Sequence, residues 1–158
     1  MSKKYNEPQG LNDVAKFHDT FDLPIIDQPV IPAPDRCVLR VNLLQEELDE
    51  LKDAIADNDM VEVADALCDI QYVLSGAILE FGLADKFKTL FDEVQRSNMS
   101  KTCKSMEEAK KTQAHYKAEK GTDSHIVQKG DEYLVYRDGD NKVLKSVAYS
   151  PADIAGKL

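Results

Sequence analysis

The segment from Met60 to Phe81 constrains the fold more than any other. Val63, Leu67, Ile70, Leu74, Ile78 and Phe81 recur at three and four residues, the period of one helical face. Val61, Tyr72 and Leu79 cover a second flank, and Ala66 and Val73 a third. A helix apolar on so many sides has little surface for water, so it belongs at the centre of a bundle or between subunits. Gly82 follows it as a C-terminal cap.

The flanking segments supply the rest of such a bundle. Val41, Leu44, Leu48, Leu51 and Ile55 form the apolar stripe of a preceding helix over about 36–57, with Asp35 as its N-cap. Asn58 or Asp59 ends that helix and caps the next, so the two are antiparallel neighbours across a tight turn. Upstream, Pro24, Pro29, Pro32 and Pro34 exclude a helix interior and predict an extended connector. Before it, Asn12 or Asp13 caps a short helix carrying Val14, Phe17, His18 and Phe21, with His18 in a surface or packing role. A fourth helix over about 83–97 is expected to bury Leu83, Phe87, Leu90, Phe91 and Val94. Ser105 and Glu108 make a capping box for a polar surface helix ended by Gly121.

After residue 124 the pattern changes. Short β-branched and aromatic runs are divided by Lys129-Gly130-Asp131 and Asp138-Gly139-Asp140-Asn141, which predicts a hairpin or three short strands. The expectation is one all-α domain over 1–158. Four to five helices form its core, about 12–119, followed by a small C-terminal β-hairpin, about 124–150, with the helices completed by a partner subunit.

The helical pair also carries the chemistry. Glu46, Glu47 and Glu50 fall within an arc of about 100° on the first of the two helices. Glu62, Asp65 and Asp69 fall within about 60° on the second, between apolar flanks. From Asp53 to Asp85 there is no Lys or Arg, and Lys52 points away from the acidic arc. Gathered carboxylates must be protonated, paired with a distant base or bridged by a divalent cation. Mg²⁺ suits oxygen donors and keeps room for water and phosphate, with Mn²⁺ a substitute. Glu47 and Glu50 facing Glu62 and Asp65 would hold it. A di-iron site is disfavoured, because no Glu-x-x-His occurs and His18, His115 and His125 lie outside the pair. Read from the residues alone, a non-catalytic helical interaction protein with a structural cation is the alternative to an enzyme.

These residues resemble the all-α nucleoside triphosphate pyrophosphohydrolases, which include MazG-type enzymes, dimeric dUTPases and phosphoribosyl-ATP pyrophosphohydrolases. Glu46-Glu47-Leu48-Asp49-Glu50 matches their E-E-x-x-E pattern and Glu62-Val63-Ala64-Asp65 their E-x-x-D. Residues 64–79 look like their central helix. Arg96 to Lys101, and Lys142 to Asp153, are similar to later segments of the phosphoribosyl-ATP branch. The resemblance implies Mg²⁺-dependent hydrolysis of a nucleotide to the monophosphate and pyrophosphate, by a homodimer or homotetramer. It implies metal ligation by Glu47, Glu50, Glu62 and Asp65. Glu46 would orient or deprotonate the water, or hold a second metal. Asp69 would support the metal site or contact the nucleotide. Asn98 and Lys101 would hold phosphates, with Arg96 and Lys145 as weaker candidates. Phe17, Phe21, Tyr72 or a partner subunit could form the base pocket.

Net charge narrows the partners. At −9 the chain lacks the broad basic face that nucleic acid requires. Cys37, Cys68 and Cys103 form no CxxC pair and read as reduced thiols, neither a zinc site nor a disulfide framework. The first residues lack the apolar run of a signal peptide, and no run reaches the length of a membrane span, so the expected location is the cytoplasm without membrane association.

Overall fold

The architecture is set by where this sequence starts and stops its helices. The computed structural model describes residues 3–158. Among them are five α-helices: α1 (Gly10–Thr20), α2 (Pro34–Ala56), α3 (Met60–Glu80), α4 (Ala84–Met99) and α5 (Met106–Lys120). A two-stranded antiparallel hairpin follows, β1 (Ser124–Lys129) with β2 (Glu132–Arg137). The all-α class with a C-terminal hairpin is therefore the one that forms. The chain divides into two compact units, the first ending at Phe87 and the second beginning at Lys88.

In the first unit α3 packs against both α1 and α2. Pro34 sits at the first position of α2, where its missing N–H costs nothing, so Asp35 lies in the first turn and not at the cap. The proline-rich connector is extended as expected and docks on the end of α3. Ile26 donates to the Leu79 carbonyl at 3.1 Å and Val30 to the Phe81 carbonyl at 3.1 Å. Gly82 ends α3 at φ 67°, and a Cβ there would stand 2.0 Å from the Gln28 carbonyl oxygen, so only glycine fits.

The face that α2 buries matches the expected one only in part: Leu44 and Leu51 are half-buried. Val41, Leu48 and Ile55 of the predicted stripe are exposed, at 65%, 43% and 62%. The packed face runs through Arg40, Leu43, Glu47, Leu51 and Ala54. The sequence stripe marks apolar residues, but α3 receives the neighbouring face, which carries two charged groups. Burial along α3 is also uneven. Ser75 to Glu80 is largely buried, whereas Met60, Val61 and Leu67 are exposed.

The second unit has its own small core of Cys103, Ala109, Val135 and Leu144, with Tyr116, Ile126 and Tyr133 packed on it. β2 is central. It pairs with β1 on one edge, and isolated bridges join Tyr133 to Cys103 and Tyr136 to Val143. Gly130, at φ 62°, makes the hairpin turn. Ser105 caps α5 by accepting from the Glu108 amide at 3.1 Å, while the Glu108 carboxylate accepts from the Lys104 amide. The helix was expected to lie on the surface with little apolar face, yet Ala109 and Thr112 are wholly buried. Small side chains let it approach the hairpin without an apolar stripe. On α4, Leu90 is buried as expected, but Phe91 and Val94 are exposed and Glu93 and Ser97 are buried instead. Glu93 is neutralised by Arg96 and accepts from the Asp153 amide at 2.8 Å, so the polar face of α4 meets the C-terminal segment. The three cysteines are free.

Candidate active site

The acids are brought together by a three-residue joint. Asn58 takes a left-handed conformation at φ 53°, and Asp59 caps α3 by accepting from the amides of Val61 and Glu62 at 2.9 and 3.2 Å. The joint reverses the chain, so α2 and α3 run antiparallel and residues equally distant from it face each other.

Glu47 is the centre of the result. It is half-buried on the α2 face turned to α3. Burial raises its pKa above the usual carboxylate value, and the charges of Asp69, Glu50, Glu46 and Asp65 raise it further. Four of the other five predicted acids are thus in electrostatic reach of Glu47, two from its own helix and two from the facing one. Glu62 lies exposed in the first turn of α3, nearer the joint. Lys52 is turned to Asp49 at 2.6 Å, on the outer side of α2.

As donors these groups fit a hard divalent cation, since all are carboxylate oxygens with an unfavourable surplus of negative charge. Among the described residues, no three Asp, Glu, His or Cys side chains converge on one point. Most of the acids are exposed, so their side chains are free to turn.

The other end of the same helix pair was not anticipated from sequence. Glu80 is fully buried and accepts from Arg36 and Arg40 together. Burial alone would raise its pKa, but the two guanidinium groups outweigh that and hold it below the ordinary value. Arg40 also meets His18 Nε2 at 3.1 Å, and His18 Nδ1 lies 2.8 Å from the Pro24 carbonyl oxygen. A carbonyl can only accept, so Nδ1 carries the proton and Nε2 accepts from Arg40. The expected packing role of His18 is what the structure shows. Gly76 makes room for this layer, because a Cβ there would lie 2.5 Å from Arg40 Nη1. The signal available in the sequence was Arg36 and Arg40 at one helical spacing, with Glu80 closing an otherwise apolar helix.

Between the two ends lies a cavity of about 290 Å³. Phe17, Leu39, Leu43, Tyr72 and Val73 give it an apolar lining, and His18 and Arg40 its polar floor. Phe17 meets Tyr72 edge-on with ring centroids 5.7 Å apart. Arg40 Nε, buried, has no hydrogen-bond partner among the described residues. Leu43 and Val73 each lie four residues from an acid, Glu47 and Asp69. The cavity and the carboxylates are therefore about one helical turn, 5.4 Å, apart along the α2–α3 groove.

The predicted phosphate donors belong to the second unit. Lys101 Nζ donates to Asn98 Oδ1 at 2.7 Å, and Lys145 Nζ lies 4.3 Å from the centre of the Tyr149 ring. Arg96 is committed to Glu93 and to the Pro151 carbonyl.

Comparison with known proteins agrees with the helical arrangement. The chain is similar to an uncharacterised protein of Acanthamoeba polyphaga mimivirus, with 25% identity over 84% of this chain and 89% of that protein. Residues 14–98, which run from α1 almost to the end of α4 and contain every acid of the cluster, match the phosphoribosyl-ATP pyrophosphohydrolase family. That match spans more than half of the chain, and the chain belongs to this family of nucleotide pyrophosphohydrolases.

Proposed function

We propose that the protein hydrolyses a nucleoside triphosphate, or a derivative such as phosphoribosyl-ATP, to the monophosphate and pyrophosphate, using Mg²⁺ or Mn²⁺. The observation that carries this reading is the order along the α2–α3 groove: an aromatic-lined cavity, then one turn beyond it carboxylates that have no neutralising base among the described residues. A base fits the first and a metal-bound phosphate the second. Among the described residues the buried Arg40 Nε–H lacks an acceptor, beside the cavity that Arg40 helps to line.

Glu47, Glu50, Glu62 and Asp65 would hold the cation, and Asp69 would support Glu47 from the facing helix. When bound, the cation neutralises phosphate charge and makes the α-phosphorus more electrophilic. Glu46, exposed at the rim, would orient the attacking water and take its proton. The new bond forms between the water oxygen and the α-phosphorus. The bond from that phosphorus to the bridging oxygen breaks, and pyrophosphate leaves. Asn98, Lys101 and Lys145 are assigned to the departing phosphates. The exposed Val41, Ile55, Met60, Val61 and Leu67 would be covered in a homodimer or homotetramer. No single helix among the described residues is long and apolar enough to cross a membrane; a cytoplasmic location is part of the proposal.

Equilibrium titration tests the reading against a purely structural cation. Mg²⁺ and a non-hydrolysable nucleoside triphosphate should each tighten the other's binding. Independent binding of the two would favour the helical interaction protein instead.

A further inference from the structure

The second unit contains a cavity of about 300 Å³ whose lining includes Lys101, Lys120, Arg137, Lys142 and Lys145, together with Tyr116, and no carboxylate. It sits in a chain of net charge −9, which makes five cations around one cavity a local exception. Their partners make it more so. Among the described residues, Arg137 alone of the five forms an ion pair with a carboxylate, that of Asp140, which also feels the charge of Lys142. Of the eight other Lys and Arg residues from Lys88 onward, five do: Lys88, Arg96, Lys104, Lys111 and Lys117. The cavity lysines settle for weaker company. Lys101 binds the neutral Asn98 amide, and Lys120 and Lys145 lie over the Tyr116 and Tyr149 rings. The Tyr116 hydroxyl accepts from the Lys145 amide at 3.3 Å, which leaves its own proton free to donate.

Cations crowded without counter-charges repel, and an anion in their midst relieves that. A volume of about 300 Å³ lined by five cations selects a compact, multiply charged one. A nucleic acid would need a stripe of positive potential, whereas residues 88–158 as a whole carry only 13 Lys and Arg against 11 Asp and Glu. We infer that the cavity between α5, β2 and the Lys142–Lys145 segment binds a small polyphosphate anion, either the phosphates of a nucleotide or free pyrophosphate. Lys120, Arg137 and Lys142 extend the pair Lys101 and Lys145 assigned above, so the inference rests partly on that assignment but not on the acidic site.

The test is calorimetric titration of the full chain with inorganic pyrophosphate, without divalent metal or turnover. The double variant Lys120→Glu/Lys142→Glu is compared with Lys110→Glu/Lys129→Glu, which changes the charge equally outside the cavity. Saturable binding weakened by about tenfold or more in the first variant and much less in the second supports the site. No saturable binding to the parent chain, or equal weakening in both variants, overturns it. A second arm repeats the comparison with Mg²⁺ and a non-hydrolysable nucleoside triphosphate. Loss there as well assigns the cavity to the nucleotide's phosphates; retained nucleotide affinity with weakened pyrophosphate binding assigns it to a free anion. Because the first arm needs neither metal nor catalysis, failure of the acidic site would not mimic failure of this one.

Discussion

The two ends of the α2–α3 pair treat carboxylates in opposite ways. At one end Glu80 is fully buried, receives two guanidinium groups and is held below its ordinary pKa. At the other Glu47 is half-buried, meets four more carboxylates and is pushed above it. A charge whose partner is built into the fold serves the architecture. A charge whose partner is missing from the fold is available to something that arrives. The two compact units repeat the contrast at larger scale. Up to Phe87 there are 7 Lys and Arg against 18 Asp and Glu, a net charge of −11, whereas the remainder carries +2.

The sharpest break of this comparison comes at the open end. Glu50→Gln or Asp65→Asn removes a carboxylate assigned above to the cation while changing little volume. Turnover of nucleoside triphosphates should fall by at least about a thousandfold, as for other residues that act as a unit in a site. Helix content by circular dichroism should be unchanged. Retained turnover in both variants would move the chemistry elsewhere.

The closed end is tested through folding. Glu80→Ala leaves Arg40 buried without its carboxylate, and breaking such a pair costs about 3 kcal/mol or more. Urea denaturation should show that loss in the midpoint. A variant as stable as the parent would mean that Glu80 is not the architectural group described here.

Those two ends were not equally legible in the sequence. The acids Glu46 to Asp69 were visible because their spacing on two adjoining helices overrides everything around them. The Glu80 layer was not: Arg36 and Arg40 share one helical spacing, but Glu80 and His18 come from the far end of α3 and from α1, and no local pattern joins them to that pair. The apolar stripe of α2 misled for a related reason. Val41, Leu48 and Ile55 mark a face that needs burial, but periodicity does not say which neighbour supplies it. In the second unit the buried face of α5 is not legible in the sequence because Ala109 and Thr112 do not register as an apolar stripe.

Acid titration separates neutralised from un-neutralised carboxylates by sign. Arg96 and the Asp153 amide bring the Glu93 pKa down from 4.5 to about 2. A group depressed in the folded state stabilises above its unfolded pKa, and that contribution is lost as pH falls through the folded value. Stability should therefore drop between pH 4.5 and about 2 as Glu93 takes up its proton, and Glu80 acts in the same direction. Glu93→Gln should flatten part of this slope in thermal unfolding followed across pH. An unchanged slope would show that Glu93 is not neutralised in the folded protein.

The smallest effect is the most discriminating, because it reverses the usual consequence of removing a charge. Glu47 has a raised pKa, so the folded chain holds its proton more tightly than the unfolded chain. Above the unfolded value of 4.5, ionised Glu47 then costs stability, and the cost grows as pH rises through the folded value. Glu47→Gln removes that repulsion. In metal-free buffer at pH 7 its Tm should exceed the parent's by a degree or so, and the gain should vanish below pH 4.5, where the parent is protonated as well. Adding Mg²⁺ should raise the parent's Tm more than the variant's, because the cation relieves the same repulsion that the substitution has already removed. A variant less stable than the parent at pH 7 without metal would mean that Glu47 has a structural partner, and the open end would then be no different in kind from the closed one.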